Sequence, residues 1–359
     1  MAEGKSIEFL SLFFTAGVAA GTVLAGASAG AVCTVILPLV SLPFFLGNKL
    51  LKQSSQGLAA LFFTTFLVLG MFCALNASMI THTGESALAA KAAECAEALK
   101  RVIGKIPFPH RETGALLQAL FTGDRSALST ELTAAFRRSG ASHILALSGL
   151  HMGIIYMVFD RLSAVLGRSP IARYVRFFLM MGAASFFTVM TGAAPSIVRA
   201  FLFILINEVL KLLGRPRKAV RVLCLALLVQ LVLQPEVIST LGFQLSYLAM
   251  GGIFILYPVM EKWYPESRSP LRWIWKSAAL AISCQVFTAP LVWFRFHTFP
   301  RYFLLTNLMA LPLTTLLMTS ALLTITLAAA GWTPEVLIGL TDWICSLLTG
   351  ILEIIGSLP

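Results

Sequence analysis

Apolar and polar positions fall along this chain in blocks, and most of the apolar blocks have membrane-crossing length. A spanning helix needs about 20 mostly apolar residues. Windows of that kind occupy residues 9–46, 57–80, 141–159, 174–190, 194–213, 220–233, 237–260, 273–293, 303–330 and 336–355. The first is broken by the small-residue stretch 26–30, so it reads as a hairpin of two short spans. The pattern predicts an all-α fold, a polytopic transmembrane helical bundle of about 10–12 spans. The window at 303–330 contains Pro312, which predicts a kinked or broken helix of the kind that usually borders a cavity.

One long stretch, from Glu85 to about Gly140, has no spanning window. Within it Leu88, Cys95, Leu99 and Val102 recur at helical spacing, while Lys91, Glu94, Glu97, Lys100 and Arg101 take other faces. Glu97 and Arg101 are spaced to pair one turn apart. An amphipathic helix lying on the membrane surface fits this pattern, with Pro107 and Pro109 ending it. A second helical pair follows, split at Thr122-Gly123-Asp124. Ser129 is placed to cap its later helix, with Glu131 in the first turn, Arg137 and Arg138 in the last, and Gly140 closing it.

Composition agrees with the pattern. Over 359 residues the hydrophobic share is 58%, charged residues are 12% and the mean hydropathy is +0.85. That balance excludes a water-soluble globular domain. The net charge of +11 is uninformative alone, because membrane proteins keep basic residues on cytoplasmic loops. Its distribution is informative. With a cytoplasmic N-terminus, alternate connectors carry Lys49 and Lys52; Arg161, Arg168, Arg173 and Arg176; Lys211, Arg215, Arg217, Lys218 and Arg221; and Lys262, Arg268, Arg272 and Lys276. Connectors of the other parity hold only Arg295 and Arg301, apart from the long 81–141 stretch, whose length exempts it from the rule. Three regions follow: N-terminal transmembrane helices over 1–80, an extracytoplasmic amphipathic helical segment over 81–140, and a transmembrane domain over 141–359. Residues 9–29 resemble a signal peptide only weakly, since one lysine stands against two glutamates ahead of them. The six cysteines are scattered, without a CxxC pair, disulfide framework or zinc spacing.

Against this background the polar residues inside spans are the candidates for function. They concentrate in residues 139–153, SGASHILALSGLHMG. On a continuous helix His143 and His151, eight residues apart, would stand about 80° apart round the axis. Ser148 precedes Gly149, where a glycine allows close backbone approach. Both histidines also suit a hydrogen-bonded bundle interior. Ser148 with His151 invites a hydrolase reading, but there is no GxSxG context, and the nearest downstream acid, Asp160, falls at the cytoplasmic end of the span. Arg199 lies a few residues into a span, just after Gly192 and Pro195 irregularise the backbone. It either snorkels to the interface or provides a fixed positive charge along an anion's path. Gln244, Ser246 and Asn307 are the remaining polar groups in spans, and such groups most often bond neighbouring helices. The chain has no Walker A motif and no HExxH or HxHxDH arrangement, so the reading is of a non-enzyme without cofactor or metal.

Five stretches occur in an order that resembles the ComEC family of competence membrane proteins. They are residues 118–128 (QALFTGDRSAL), 140–153 (GASHILALSGLHMG), 191–200 (TGAAPSIVRA), 242–247 (GFQLSY) and 288–307 (TAPLVWFRFHTFPRYFLLTN), within about 112–330. The resemblance implies a multi-helix channel in the bacterial inner membrane that passes one strand of transforming DNA into the cytoplasm. It further implies an external DNA-delivery protein and a cytosolic ATPase as partners, besides single-stranded DNA and membrane lipid, and leaves a homo-oligomer open. The family pattern falls on Gly123, Asp124, Arg125, His143, Ser148, Gly149, His151, Gly192, Arg199, Gln244, Ser246, His297 and Asn307. Of these Gly123, Asp124, Arg125 and Gly192, with Pro195, are assigned to turns. His143, Ser148, Gly149, His151, Arg199, Gln244, Ser246, His297 and Asn307 are assigned to the DNA path. A strand with one phosphate per nucleotide needs a watery, partly basic conduit, and aromatic faces can stack its bases. Larger members carry an oligonucleotide-binding-type insertion and a metallo-β-lactamase-like domain. Here helical residues 81–140 take the first place, and the second has no counterpart, so no nuclease activity is expected of these residues. A small-molecule or ion transporter, or a non-conducting scaffold, are the alternatives, because a shared fold does not establish function.

Overall fold

A computed structural model describes residues 6–24, 64–74, 87–167, 169–264, 270–297 and 301–358. Among the described residues the regular structure is helical and no strand occurs. The helices are α1 (Ser6–Leu24), α2 (Thr64–Ala74), α3 (Ala87–Lys105), α4 (Arg111–Thr122), α5 (Thr130–Arg138), α6 (Ser142–Leu145), α7 (Gly149–Ser163), α8 (Pro170–Met190), α9 (Pro195–Leu212), α10 (Ala219–Leu233), α11 (Leu241–Ile255), α12 (Tyr257–Glu261), α13 (Pro270–Phe296), α14 (Phe303–Ala329) and α15 (Glu335–Gly356).

Five stretches, Gly149–Leu166, Leu241–Glu261, Leu271–Phe296, Phe303–Ala329 and Glu335–Gly356, are long and apolar enough to cross a membrane. Three shorter apolar helices accompany them among the described residues. The protein is a multi-pass, all-α membrane protein. The second half of the expected N-terminal hairpin and the ends of the 57–80 window lie outside the described residues, as do Lys49, Lys52, Arg168 and Arg268. Windows 174–190 and 194–213 fold as α8 and α9.

The chain divides into two units. Residues 1–84 and 202–244 form one, residues 85–201 and 245–359 the other. In the first, α1 crosses α2 at very short range. A Cβ on Gly17 would lie 1.9 Å from the Leu67 carbonyl oxygen, and one on Gly70 would lie 2.2 Å from that of Phe14. Gly17 and Gly21 thus form a GxxxG contact face, in which missing side chains let two backbones touch.

The second unit has a continuous core. Leu116, Leu117 and Leu120 of α4 and Phe136 of α5 pack with Leu317 and Ala321 of α14 and Leu348 and Leu352 of α15. The caps behave as their residue types predict. The Ser129 hydroxyl accepts from the Leu132 N–H at 3.2 Å, and Gly123 and Gly140 close their helices at φ +82° and +79°.

Four sequence expectations are corrected. The apolar face of α3 packs on protein, against α4, α8 and α14, with Ile103 and Ile106 fully in the core, so it is not spent on lipid. Glu97 pairs with Lys100 at 2.7 Å, while the Arg101 guanidinium donates to the Glu97 backbone carbonyl. The 141–159 window is not one helix: α6 ends at Leu145, Ala146 and Ser148 are extended, and α7 starts at Gly149. Finally, of the kinked or broken helix expected at Pro312, the break is absent: α14 runs through it. The Thr314 and Thr315 hydroxyls bond the carbonyls of Ala310 and Leu311 beside it, one way transmembrane helices re-satisfy backbone around proline.

Candidate functional site

The turn after α4 sets the register of everything that follows. Gly123 is left-handed, and a Cβ there would meet Leu147 Cδ1 at 2.6 Å. Asp124 accepts from the Ser126 N–H at 2.9 Å and pairs with Lys100. The Lys100 ammonium, and then the Ser126 donors, hold the Asp124 carboxyl well below the usual carboxylate range. Arg125 Nη2 donates to the Leu145 carbonyl at 2.9 Å. Together Gly123 and Arg125 pin the extended residues between α6 and α7.

Those pinned residues deliver Ser148 as the N-cap of α7. Its backbone N–H donates to His151 Nδ1 at 3.2 Å, and its hydroxyl lies 2.8 Å from the same nitrogen. A backbone N–H can only donate, so Nδ1 is the acceptor and the neutral ring carries its proton on Nε2. His151 is 0% exposed, and Nε2 is buried without a hydrogen-bond partner. The Ser148–His151 pair therefore lacks the acid that orients a catalytic histidine.

Against the first turn of α7 stands Arg199. It is 8% exposed, so it does not snorkel. Its guanidinium lies over the Tyr247 ring, 5.6 Å from the centroid. A Cβ built on Gly149 would lie 3.4 Å from Arg199 Nη2 and 3.5 Å from the Ala200 Cβ, ordinary contact distances that place the guanidinium directly against the start of α7. Arg199 Nη1 is buried with no hydrogen-bond partner, and among the described residues no carboxylate pairs with the group. The α8–α9 turn that aims it holds Gly192 at φ +68° and Ala193 at φ +52°, with Pro195 opening α9. Ala193 is a non-glycine residue in left-handed backbone, held by its N–H on the Thr188 carbonyl at 2.9 Å.

The physics of this cluster is one-sided. A desolvated charge costs several kcal/mol, and stacking on an aromatic ring in such a site returns about 2 kcal/mol or somewhat more. The N-terminus of α7 adds partial positive charge, where a cation is disfavoured. Arg199 and the α7 terminus beside it are both positive. What complements them is an anion.

The other predicted residues sit in separate places. His143 is exposed and bonds the Gly140 carbonyl through Nδ1 at 3.1 Å. Asn307 Oδ1 is buried without a partner. Gln244 Nε2 donates to the Ile238 carbonyl at 2.9 Å and so stays within its own turn. Ser246 is half-buried, one residue before Tyr247. His297 is exposed at φ +50° and ends α13 with its N–H on the Trp293 carbonyl. Among the described residues no group of three potential metal ligands occurs.

Three participants escaped the sequence reading. Tyr247, the last residue of GFQLSY, carries the guanidinium. The Thr306 hydroxyl donates to the Ser139 carbonyl at 2.6 Å and ties α14 to the start of the motif. Asp342, buried in α15, accepts from the His110 N–H at 3.2 Å, from the Thr113 hydroxyl at 2.6 Å and from His110 Nδ1 at 2.7 Å. An acid within an apolar span was signal enough for Asp342.

Residues 120–359 match the family model described as competence protein. The chain is 26% identical over 204 residues to ComE operon protein 3 of Bacillus subtilis (strain 168), covering 57% of this chain and 25% of that protein. It is 26% identical over 223 residues to recombination protein 2 of Haemophilus influenzae (strain ATCC 51907 / DSM 11121 / KW20 / Rd), covering 58% and 28%. It is also 27% identical over 224 residues to the uncharacterized protein YcaI of Escherichia coli (strain K12), again covering 58% and 28%. The matched stretch thus spans about a quarter of the length of these relatives. No solved structure matches the chain.

Proposed function

This chain belongs to the competence protein family, and on that premise we propose that it is a DNA-translocating channel of the bacterial inner membrane, passing single-stranded transforming DNA inward. The observation that carries the reading is the buried Arg199 guanidinium, without a carboxylate, stacked on Tyr247 at the N-terminus of α7. A backbone phosphate supplies the missing anion as each nucleotide passes. Because the site offers donors and charge and no pattern of base-edge contacts, it is indifferent to sequence. Ser148, capped by His151, starts the helix whose first residue, Gly149, stands against the guanidinium, and the Gly123-Asp124-Arg125 turn keeps that start in place.

In this reading the N-terminus is cytoplasmic, an external protein delivers the DNA, and a cytosolic ATPase pulls the strand. The test is Arg199→Ala in a naturally competent host, with membrane insertion checked in parallel. Transformation should fall to background while the protein accumulates normally. Normal transformation removes Arg199 from the path. The same donor-only site also suits a small anion, so an anion transporter is the second reading; transformation that survives deletion of the gene would favour it.

A further inference from the structure

The helices between residues 87 and 138 were expected to lie outside the bundle, yet their contacts mark both ends of the α14–α15 pair. At one end the Thr306 hydroxyl holds the Ser139 carbonyl, and a Cβ on Gly356 would meet Arg138 Cβ at 3.3 Å. At the other end the Thr324 and Thr341 hydroxyls bond at 3.1 Å, and the next residue, Asp342, holds His110 and Thr113. Asp342 and Gly356 are fourteen residues apart on one helix, about 21 Å at 1.5 Å per residue. That is most of the roughly 30 Å hydrocarbon core. Residues 110–139 therefore run the depth of the pair.

Helix α3 makes the inward journey. Lys91 and Cys95 line a groove with Val189 and Met190, beside the turn that leads to Arg199. Farther along, Ile103 and Ile106 enter the core with α14, and the chain then reaches His110 at the Asp342 end. One face of this helix, Lys91, Glu94, Glu97, Arg101 and Lys105, is exposed. Facing lipid, each such charge would cost about 2.5–3.5 kcal/mol even on the mildest scale. At this depth the face needs water.

We infer that α3 and α4 form a re-entrant hairpin, and that the charged face of α3 is a wall of the water-filled path, with Arg101 and Lys105 meeting the phosphates of the passing strand. The nucleic-acid part rests on the function proposed above; the hairpin does not. The experiment uses the full chain in phosphatidylcholine–phosphatidylglycerol nanodiscs, its native cysteines replaced and single cysteines placed at 99, 101, 102 and 105. A charged methanethiosulfonate reagent should modify positions 101 and 105 several-fold faster than 99 and 102, whose side chains pack on the core. A fluorophore at 105 should lie below the headgroup plane by energy transfer to acceptors on the lipid headgroups. A label at headgroup level, or equal reactivity at all four positions, overturns the hairpin. Added single-stranded oligonucleotide should slow modification at 101 and 105 several-fold. If it does not, while Arg199→Ala still abolishes transformation, α3 leaves the path and the Arg199 reading stands. If 101 and 105 are water-accessible but transformation survives Arg199→Ala, the hairpin stands and the assignment of Arg199 falls.

Discussion

Two polar clusters lie within the apolar second unit, and they are built on opposite principles. Around Asp342 every group is answered: both carboxylate oxygens accept, and the donors come from a helix N-terminus, a hydroxyl and a ring nitrogen. Around Arg199 the donors outnumber the acceptors. Nη1 is left over, and the neighbouring helix end has the same sign. A closed cluster fastens helices together, whereas an open one has affinity to spare for something that is not protein. The contrast separates fastening from function without any appeal to residue type, since both clusters contain a histidine, a hydroxyl and a charge.

The largest expected effect is on the closed cluster. Asp342→Ala leaves the α4 terminus and the buried Thr113 hydroxyl unanswered and should destabilise by about 2–3 kcal/mol, read as a fall in thermal midpoint in detergent, with transformation falling only as far as the folded fraction does. Gly123→Ala comes next. Its left-handed φ of 82° and its contact with Leu147 predict a loss of about 1–2 kcal/mol, together with reduced transformation, because the extended residues before Ser148 are held from this turn. His151→Phe deletes the acceptor of the Ser148 N–H together with the unpaired Nε2 donor, so it should cost about 1–2 kcal/mol and lower transformation further than the folded fraction falls; a loss no greater than that of the folded fraction would confine the open cluster to Arg199. The smallest effect is electrostatic. The Asp124 carboxyl is held below its ordinary range in the folded chain, so its contribution is complete above about pH 4 and fades as the pH falls from there through the folded value. Asp124→Asn should flatten that acid limb in a pH series of melting curves, lowering the midpoint modestly at neutral pH and changing little at the acid end, where the wild-type carboxyl is already protonated.

Much of this was legible in the one-dimensional pattern. Membrane class follows from window length, the caps at Ser129, Gly123 and Gly140 from residue type, and the unusual burial of Arg199 from a charge within an apolar span. What was hidden has physical reasons. Residues 144–147 are apolar, so nothing in their hydropathy separates the extended join from the helices beside it, and Ser148 is a cap answered by a histidine and not by the usual glutamate or glutamine. An amphipathic helix on a membrane and one wedged against a bundle have the same periodicity, so α3 could not be placed by spacing. The partners Arg199 with Tyr247 and His110 with Asp342 are 48 and 232 residues apart, and only the fold brings them together. Gly17 and Gly21 carried a readable contact motif that the search for polar groups passed over.

The central claim is that Arg199 is kept without a protein counter-ion because it receives a phosphate. The measurement that meets it most directly is the affinity of the purified full chain for a single-stranded oligonucleotide across a salt series, for wild type and Arg199→Ala, with thermal midpoints from the same samples. Loss of one phosphate contact should lower the magnitude of the slope of log affinity against log salt by about 0.7, while the thermal midpoint stays level or rises, since an unpaired buried charge has been removed. An unchanged slope with a lowered midpoint would contradict the account, making Arg199 a packing residue and the open cluster part of the scaffold.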